Sequence, residues 1–247
     1  MSIERTVRKG YPPEGHPVDN RVFRLLRSIP LDRTVYPFKL KGEEYLNSHW
    51  KRALDLAVGG PAAFSTLIPV GIFSLLMKIE SPDLSPIITQ DRFGKDNKKF
   101  PMFKIRSQTV DTEGSGTINP TRMGNILRRY SLDELPQFWN VLRGEMSLVG
   151  RRPTLPYDYK QFEDSLVGNS ETCGEMVQRP GTWEVYQRND LAKPGMTGLQ
   201  QIMGRRSLNP VTRARLENFY ERNASLGLDL AILAVTLPTA ISPHGVK

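Results

Sequence analysis

The sequence predicts a small, mainly helical α/β chain attached to a membrane by a re-entrant helix. Short apolar runs at 87–89 and 102–106 are typical of strands, whereas several longer stretches have helical periodicity. Residues 53–77 carry a single charge, and basic residues lie at both ends of this segment. The 247 residues are enough for one core of ordinary size with appended segments.

The overall charge favours partners that carry phosphate. Lys and Arg outnumber Asp and Glu by 34 to 26, for a net charge of +8. Such an excess suits nucleic acid, nucleotides or anionic lipid, and does not choose among them. Cys173 is the only cysteine, which excludes an intrachain disulfide. The N-terminus is charged with no apolar run behind it, so we expect no cleaved signal peptide and a cytosolic polar domain.

Residues 1–47 are predicted to form an arm. Several prolines and a glycine interrupt its first part. The basic, apolar stretch at 22–27 is compatible with an amphipathic turn that lies on a membrane surface or packs on the main domain. The sequence indicates no chemistry in this arm.

The apolar segment at 53–77 is long enough to cross a bilayer, which takes about 20 residues. The Gly59-Gly60-Pro61 run and Pro69 each weaken or bend a helix. The basic residues that flank the segment are Lys51, Arg52, Lys78, Arg92, Lys95, Lys98 and Lys99.

Two basic ends favour a bent helix that enters from the cytosol and returns to it, because basic residues mark the cytosolic side. The backbone groups freed at the break then need partners. A buried core helix of a soluble protein is the alternative. The predicted organisation is an arm at 1–47, a re-entrant membrane helix at 48–80, and a cytosolic domain at 81–247.

The remaining elements follow from local patterns. Residues 111–120 are predicted to form a polar loop. The apolar tail at 226–241 contains one charge, Asp229, and one proline, Pro238. The predicted helices are 123–130, 133–142, 157–162 and 210–223.

The sequence lacks the usual signatures of metal and nucleotide sites. It has no P-loop and no pair of Cys-x-x-Cys motifs. Its histidines, His16, His49 and His244, lie in terminal segments or just before the apolar run. Zinc sites and histidine-based triads are therefore not predicted, and the chemistry must depend on carboxylates and cations.

An acidic pair, Asp133 and Glu134, opens an apolar-periodic stretch. Two capping arrangements give one of these acids a structural role. Ser131 and Glu134 have capping-box spacing, although that register puts Pro136 one turn inside the helix. With Asp133 as the N-cap, Pro136 falls within the first turn, where proline is tolerated.

The surroundings of this pair also suggest catalysis. A helix N-terminus favours anions, and Arg128 and Arg129 lie just upstream. An ionised aspartate in a cation-rich site is a competent nucleophile toward phosphorus. Mg²⁺ could bridge a carboxylate and a diphosphate at the same place.

Three basic turns could serve the same site. Each combines tight backbone with basic side chains, as phosphate binding often does. They lie at 104–107, at 150–153, and at 194–198 together with 204–206.

The order of these motifs resembles the bacterial sugar transferases, specifically the monotopic polyprenyl-phosphate phosphoglycosyl transferases. The resemblance extends over roughly residues 49–240, and the run at 131–153 is its most specific part. The matching residues outside that run are Lys51, Arg52, Asp55, Gln90, Arg92, Gly94, Phe100, Lys104, Arg106, Ser107, Arg128, residues 194–198, Gly204 and Arg205.

The resemblance implies a small α/β fold on a re-entrant helix, with interfacial amphipathic helices that include the C-terminal ones. It implies transfer of a sugar 1-phosphate from a UDP-sugar to polyprenyl (undecaprenyl) phosphate, with release of UMP and a requirement for Mg²⁺. This reaction is the first membrane step of exopolysaccharide, capsule, O-antigen or glycoprotein glycan synthesis. The expected location is the cytosolic face of the bacterial inner membrane, with a homo-oligomer possible and no nucleic acid as a partner.

The resemblance also implies roles for individual residues. Asp133 is the expected nucleophile, forming a covalent phosphosugar-aspartyl intermediate, and Glu134 acts at the metal or in proton handling. Both carboxylates are the expected metal ligands. The residues expected to bind substrate phosphate are Lys104, Arg106, Arg128, Arg152 and Arg205.

Three positions depart from the family pattern. Arg151 replaces a proline, Ile68 replaces a serine that often precedes the proline at the helix break, and Leu199 replaces an aromatic residue. These changes leave open a catalytically silent, membrane-attached partner of polysaccharide assembly. Release of UMP from UDP-sugars separates that alternative from the enzyme. A nucleic-acid-binding protein, suggested by charge alone, has no recognised motif here and leaves the apolar segment unexplained.

Overall fold

The computed structural model describes residues 41–110, 118–153, 192–203 and 210–241. Most of the predicted arm, the predicted helix at 157–162 and the basic turn that contains Arg205 lie outside these ranges.

Helices make up most of the described secondary structure, as the sequence predicts. In chain order they are α1 (Lys41–Leu46), α2 (His49–Ser65), α3 (Leu67–Glu80), α4 (Arg122–Arg129), α5 (Gln137–Arg143), α6 (Leu199–Met203), α7 (Pro210–Asn223) and α8 (Leu226–Ile241). Short 3₁₀ turns cover Lys95–Asn97 and Leu132–Glu134. Helix α8 continues past position 238, so the proline there does not end it.

The strands form three small pairs. They are β1 (Ile87–Phe93), β2 (Lys99–Ile105), β3 (Gln108–Val110), β4 (Ile118–Pro120), β5 (Ser147–Val149) and β6 (Gly195–Thr197). The pairs β1–β2 and β3–β4 are antiparallel, whereas β5–β6 is parallel. The mainly helical α/β class is confirmed. Residues 118–120, predicted as part of a polar loop, instead form β4, because their backbone pairs with β3.

Helices α2 and α3 meet at a bend of 45° centred on Thr66. Pro69 causes this break, because it has no N–H to donate to the carbonyl of Ser65 one turn earlier. Local hydroxyls bind the backbone beside the bend: Ser65 Oγ donates to Ala62 O at 2.9 Å, and Thr66 Oγ1 donates to Ala63 O at 2.8 Å. Both bonds go to carbonyls in the last turn of α2 and hold that turn together beside the bend.

The Gly59-Gly60-Pro61 run does not break α2. Gly59 lies against α5, and a Cβ at this position would meet Val141 Cγ1 at 3.0 Å. The glycine therefore lets the two helices approach closely. The aromatic rings of Phe64 and Trp139 extend the same contact, edge to face, at 5.8 Å between centroids.

Within the described ranges, no single helix has both the length and the apolar composition to cross a membrane, whereas the bent α2–α3 pair together meets both criteria. The pair also carries much of the exposed apolar surface. Its exposed large apolar side chains are Trp50, Leu56, Val58, Phe64, Leu67, Ile68, Ile72, Leu75, Leu76 and Ile79.

The main apolar core joins α5, the β5–β6 pair and helices α6 to α8. Its buried side chains include Val141, Met146, Leu148, Val149, Leu199, Ile202, Leu216, Tyr220, Ile232 and Val235. The last residues of the predicted arm also belong to this packed body, since α1 lies against α7. Gly42 is so close to it that a Cβ would overlap the carbonyl of Glu221.

Candidate active site

The acidic pair lies in the 3₁₀ turn between α4 and α5. The chain enters this turn through Ser131, whose φ of 54° is in the left-handed region. Asp133 is only 3% exposed, whereas Glu134 is partly exposed. A buried carboxylate is costly unless it is paired and hydrogen-bonded, so the partners of Asp133 define the site.

The end of β2 supplies these partners. Lys104 Nζ lies 2.8 Å from Asp133 Oδ2, and Ser107 Oγ donates to the same oxygen at 3.4 Å. About a quarter of the Lys104 side chain is exposed, at 26%. The ammonium group therefore bridges the buried carboxylate and the solvent-facing side of the site.

Asn140 of α5 holds β2 in place beside the turn. Phe103 N donates to Asn140 Oδ1 at 3.0 Å, and Asn140 Nδ2 donates to Pro101 O at 2.8 Å and to Glu145 Oε2 at 2.6 Å. Asn140 is fully buried. Because Phe103 precedes Lys104 in β2, these bonds hold the strand in the position that puts Lys104 Nζ against Asp133.

The acidic turn packs on a small apolar cluster that also contains a residue of the bent α2–α3 pair. Met77 of α3, Ile105 of β2 and Leu127 of α4 are buried together, and Leu132 packs beside them. Burying a side chain of this size contributes about 1.5–3 kcal/mol. The acidic turn is therefore anchored directly to α3.

Helix α4 is also capped from α3. The Glu80 carboxylate accepts bonds from Arg122 N at 2.7 Å and Met123 N at 3.2 Å, and Thr121 Oγ1 accepts one from Gly124 N at 2.8 Å. These caps satisfy backbone N–H groups that a helix start leaves free. They align α4 so that its C-terminal end leads into the acidic turn.

Neither predicted capping arrangement occurs. Helix α5 starts at Gln137, and neither Ser131 nor Pro136 makes a side-chain capping bond. The Asp133 carboxylate instead pairs with Lys104 and accepts a hydrogen bond from Ser107. The regular helix begins after Pro136 because proline has no N–H and suits the start of a helix. The prediction that the acids open an α-helix was therefore wrong.

The structure brings some of the predicted phosphate-binding residues to the site. Lys104 contacts Asp133 directly, and Arg128 lies in the last turn of α4. Arg106 lies next to Ser107, but its Nε donates to Ser85 O at 2.7 Å, on the loop before β1. Its role in phosphate binding, like that of Arg128, stays a prediction.

The basic turn after β5 presents its two arginines differently. Arg152 is exposed. Arg151, which departs from the family pattern, is 3% exposed and donates to Gly94 O at 3.1 Å. Arg92 reaches the same turn, since its NH1 donates to Pro153 O at 3.2 Å. The turn is thus tied to the β1–β2 hairpin, with Arg152 left to face outward.

Asp133 and Glu134 are the candidate metal ligands. The described residues contain no group of three or more His, Cys, Asp or Glu side chains able to hold an ion. Mg²⁺ does not require one, because it typically takes one or two protein carboxylates together with substrate phosphates and water. Both contacts to Asp133 use Oδ2. The adjacent acids therefore fit the donor set that Mg²⁺ uses with a diphosphate.

A buried polar network, which sequence reasoning missed, joins α2 to α8. Lys51 Nζ pairs with Asp229 Oδ2 at 2.6 Å and donates to Val149 O at 2.8 Å. Tyr220 and Tyr45 donate to the same carboxylate at 2.8 Å and 2.9 Å. Burial, followed by the charge of Asp229, raises the pKa of both phenols above the usual value.

The other two members of the Lys-Arg-x-x-Asp motif are also structural. Arg52 donates to Val141 O at 2.6 Å and Leu142 O at 2.7 Å, capping the C-terminal end of α5. Asp55 accepts bonds from Ser147 Oγ and Leu148 N at the start of β5. Lys51 and Arg52, which flank the apolar segment, thus both bond groups inside the protein. The sequence signal for these buried contacts was a single acid in each of two apolar stretches, Asp55 and Asp229.

Comparison with known proteins identifies the family of this chain. The family model described as "Bacterial sugar transferase" matches residues 46–243. A UDP-galactose-lipid carrier transferase of Erwinia amylovora is 33% identical over 79% of this chain and 41% of its own length.

Two further relatives carry similar names. A UDP-N-acetylgalactosamine-undecaprenyl-phosphate N-acetylgalactosaminephosphotransferase of Aeromonas hydrophila is 31% identical over 80% of this chain and 45% of its own length. A UDP-glucose:undecaprenyl-phosphate glucose-1-phosphate transferase of Klebsiella pneumoniae is 32% identical over 78% of this chain and 40% of its own length.

The chain thus spans less than half the length of each of these three relatives. The family match nevertheless includes the Lys51–Asp229 pair, the acidic turn and α8. From the family model and these relatives, the chain belongs to the bacterial sugar transferase family.

Proposed function

We propose that this chain transfers a sugar 1-phosphate from a UDP-sugar to undecaprenyl phosphate. The observation that carries the proposal is the buried Asp133 carboxylate paired with Lys104, inside the segment that matches the family. The names of the relatives, which act on lipid carriers or undecaprenyl phosphate, support the choice of acceptor.

In the first half-reaction, a carboxylate oxygen of Asp133 attacks the β-phosphorus of the UDP-sugar. A new phosphorus–oxygen bond forms, the bond to UMP breaks, and UMP leaves with the electron pair. Lys104 is placed to move its charge from the carboxylate toward the phosphate oxygens as the aspartate becomes esterified. The product is a phosphosugar-aspartyl intermediate.

In the second half-reaction, an oxygen of the lipid phosphate attacks the same phosphorus, and the Asp133 carboxylate leaves. The product is a polyprenyl-diphosphate sugar, and the enzyme regains its ion pair with Lys104. Mg²⁺, held by Asp133 and Glu134, would neutralise charge on the diphosphate. Arg128 and Arg152 serve as further phosphate contacts in this proposal.

Attachment to the membrane is the second part of the proposal. The exposed apolar side chains of the α2–α3 pair support its insertion into a bilayer. Its bend favours entry and return on one side, since the apolar stretch is interrupted near its middle at Thr66. Because the acidic turn rests on α3, this seating puts Asp133 close to the lipid surface that carries the acceptor.

The test is UMP release by the purified full chain in detergent, with Mg²⁺ and a panel of UDP-sugars. We expect the wild type to release UMP from at least one of them. Asp133→Asn removes the attacking anion while keeping side-chain shape, so release should fall to background. Asp83→Asn, at an exposed acid outside the site, is the matched control and should be unaffected. A folded wild type that releases UMP from no UDP-sugar would instead support the silent-partner alternative.

A further inference from the structure

A second group of cations lies outside the acidic turn, where β6, α2 and the end of α5 meet. Lys193 is half-buried just before β6. A Cβ built on Gly144 would lie 3.5 Å from Lys193 Nζ and 3.7 Å from Arg52 NH2. These two distances put the ammonium and guanidinium groups beside the same small opening next to Gly144.

Within the described ranges, Lys193 has no partner that balances its charge. Among the described residues its Nζ makes no hydrogen bond and no ion pair, whereas Arg52 is committed to the carbonyls of Val141 and Leu142. Burial, together with the charges of Arg52, Lys95 and Lys51, lowers the pKa of Lys193. Without a ligand the cluster therefore has an unfavourable electrostatic energy.

The nearby acids are already engaged. Asp55 accepts from Ser147 Oγ and Leu148 N, both at the start of β5. Glu145 accepts from Asn140 and pairs with Arg143 at 3.2 Å. Neither carboxylate forms an ion pair with Lys193, so the cluster keeps a surplus of positive charge.

The shape of the opening depends on Gly144. Its φ of 79° ends α5 in the left-handed conformation, and the missing side chain leaves the space between Lys193 and Arg52 free. Lys95 extends the cluster toward the loop before α2, where its Nζ bonds the side chain of Asn47. The position is near the start of α2, where the apolar pair begins.

We propose that Lys193, Arg52 and Lys95 form a second anion site, separate from the Asp133 site, that binds a phosphate group. A phosphate has enough acceptor oxygens to contact an ammonium and a guanidinium at once. Its charge also offsets the mutual repulsion of the cations around Lys193. The group belongs either to an anionic phospholipid headgroup or to a free phosphate, and the two sources are separable by experiment.

The experiment measures thermal unfolding of the full chain in detergent as a function of added probe, because a ligand of the folded state raises Tm. The probes are inorganic phosphate and a short-chain phosphatidylglycerol. Lys193→Met keeps the aliphatic stem and removes the charge, and should weaken the apparent affinity about tenfold or more. Lys78→Met is the matched control, since it removes an exposed charge at the far end of α3, and should leave the affinity unchanged.

A second pair of variants tests the opening itself. Gly144→Asp introduces a carboxylate beside Lys193 and should abolish probe binding, whereas Gly144→Asn, with the same shape and no charge, should retain more of it. Both residues tolerate positive φ. A response to both probes identifies the phosphate group alone as sufficient, and a response to phosphatidylglycerol only identifies a lipid headgroup. The proposal is overturned if neither probe raises Tm of the wild type, or if Lys193→Met and Lys78→Met weaken binding equally.

Discussion

At the residue scale, the Asp133 carboxylate is buried and still has a partly exposed partner. It is held by Lys104, which is partly exposed, and by the buried hydroxyl of Ser107. Both described contacts use Oδ2, which leaves Oδ1 without a described partner. The arrangement suits a nucleophile that must be fixed in direction and still be reached by a substrate.

Lys104→Met tests this arrangement. The substitution removes the charge-assisted contact to Asp133 and to any incoming phosphate, so we expect kcat/KM for UMP release to fall about tenfold to a hundredfold. Lys104→Arg should recover part of the loss because it keeps the charge. Lys99→Met, on an exposed position of the same strand, is the control. Equal kinetics for wild type and Lys104→Met would remove this lysine from the site.

The motif order named the acidic pair and Lys104 as candidate site residues, but it did not predict that Lys104 pairs with Asp133. Their local geometry was not predicted either. Capping rules assign an acid near a helix start to the backbone, but Pro136 delays α5 and leaves Asp133 to a tertiary partner. Such a partner, distant along the chain, has no local signal.

At the scale of elements, the bent α2–α3 pair is the feature on which the membrane proposal depends. Pro69 removes one backbone bond, and the hydroxyls of Ser65 and Thr66 bind carbonyls one turn earlier. Polar groups at a helix break in lipid need partners within the protein, and these two bonds supply local ones beside the bend. The bend is thus compatible with a helix that turns back.

Cysteine labelling tests whether the two ends of the α2–α3 pair lie on the same side of the membrane. Native Cys173 is replaced by serine, and single cysteines are placed at the exposed positions Asn47 and Asp83, before α2 and after α3. We expect a membrane-impermeant thiol reagent to label both only from the cytosolic side, because a re-entrant pair returns to its side of entry. Labelling from opposite sides would show that the pair spans the bilayer.

Local sequence patterns predicted some helices and strands correctly and missed others. The helix at 210–223 and the first two strands were found from apolar spacing, because those residues pack on one face of a regular element. Strand β4 was missed since its three residues have a polar setting and are strands only through pairing with β3. The bend was placed near Pro69, but the continuity of α2 through Pro61 depends on packing against α5.

For the whole molecule, one buried network connects elements that are far apart in sequence. Lys51 of α2 and Asp229 of α8 form its centre, with Tyr45 of α1, Tyr220 of α7 and the carbonyl of Val149 around them. Because each partner lies on a different element, the network fixes α1 and α2 against α7, α8 and β5. No pattern in the sequence pairs position 51 with position 229.

Lys51→Met tests how much this network contributes to the stability of the fold. Removing one member of a buried ion pair leaves the other charge uncompensated, which costs about 3–5 kcal/mol. We expect a marked fall in Tm, measured in detergent, and partial recovery when Asp229→Asn is added. Lys98→Met, at an exposed lysine, should leave Tm unchanged. A Lys51→Met protein as stable as the wild type would show that the buried pair contributes little.

The central claim is that Asp133 carries the sugar phosphate, and intact-protein mass spectrometry tests it most directly. The full chain is incubated with Mg²⁺ and a UDP-sugar that supports UMP release, without polyprenyl phosphate. We predict a mass increase equal to one sugar phosphate less water on the wild type, lost on addition of polyprenyl phosphate, and no increase on Asp133→Asn. An adduct that persists in Asp133→Asn, or wild-type turnover by that variant, would contradict the claim.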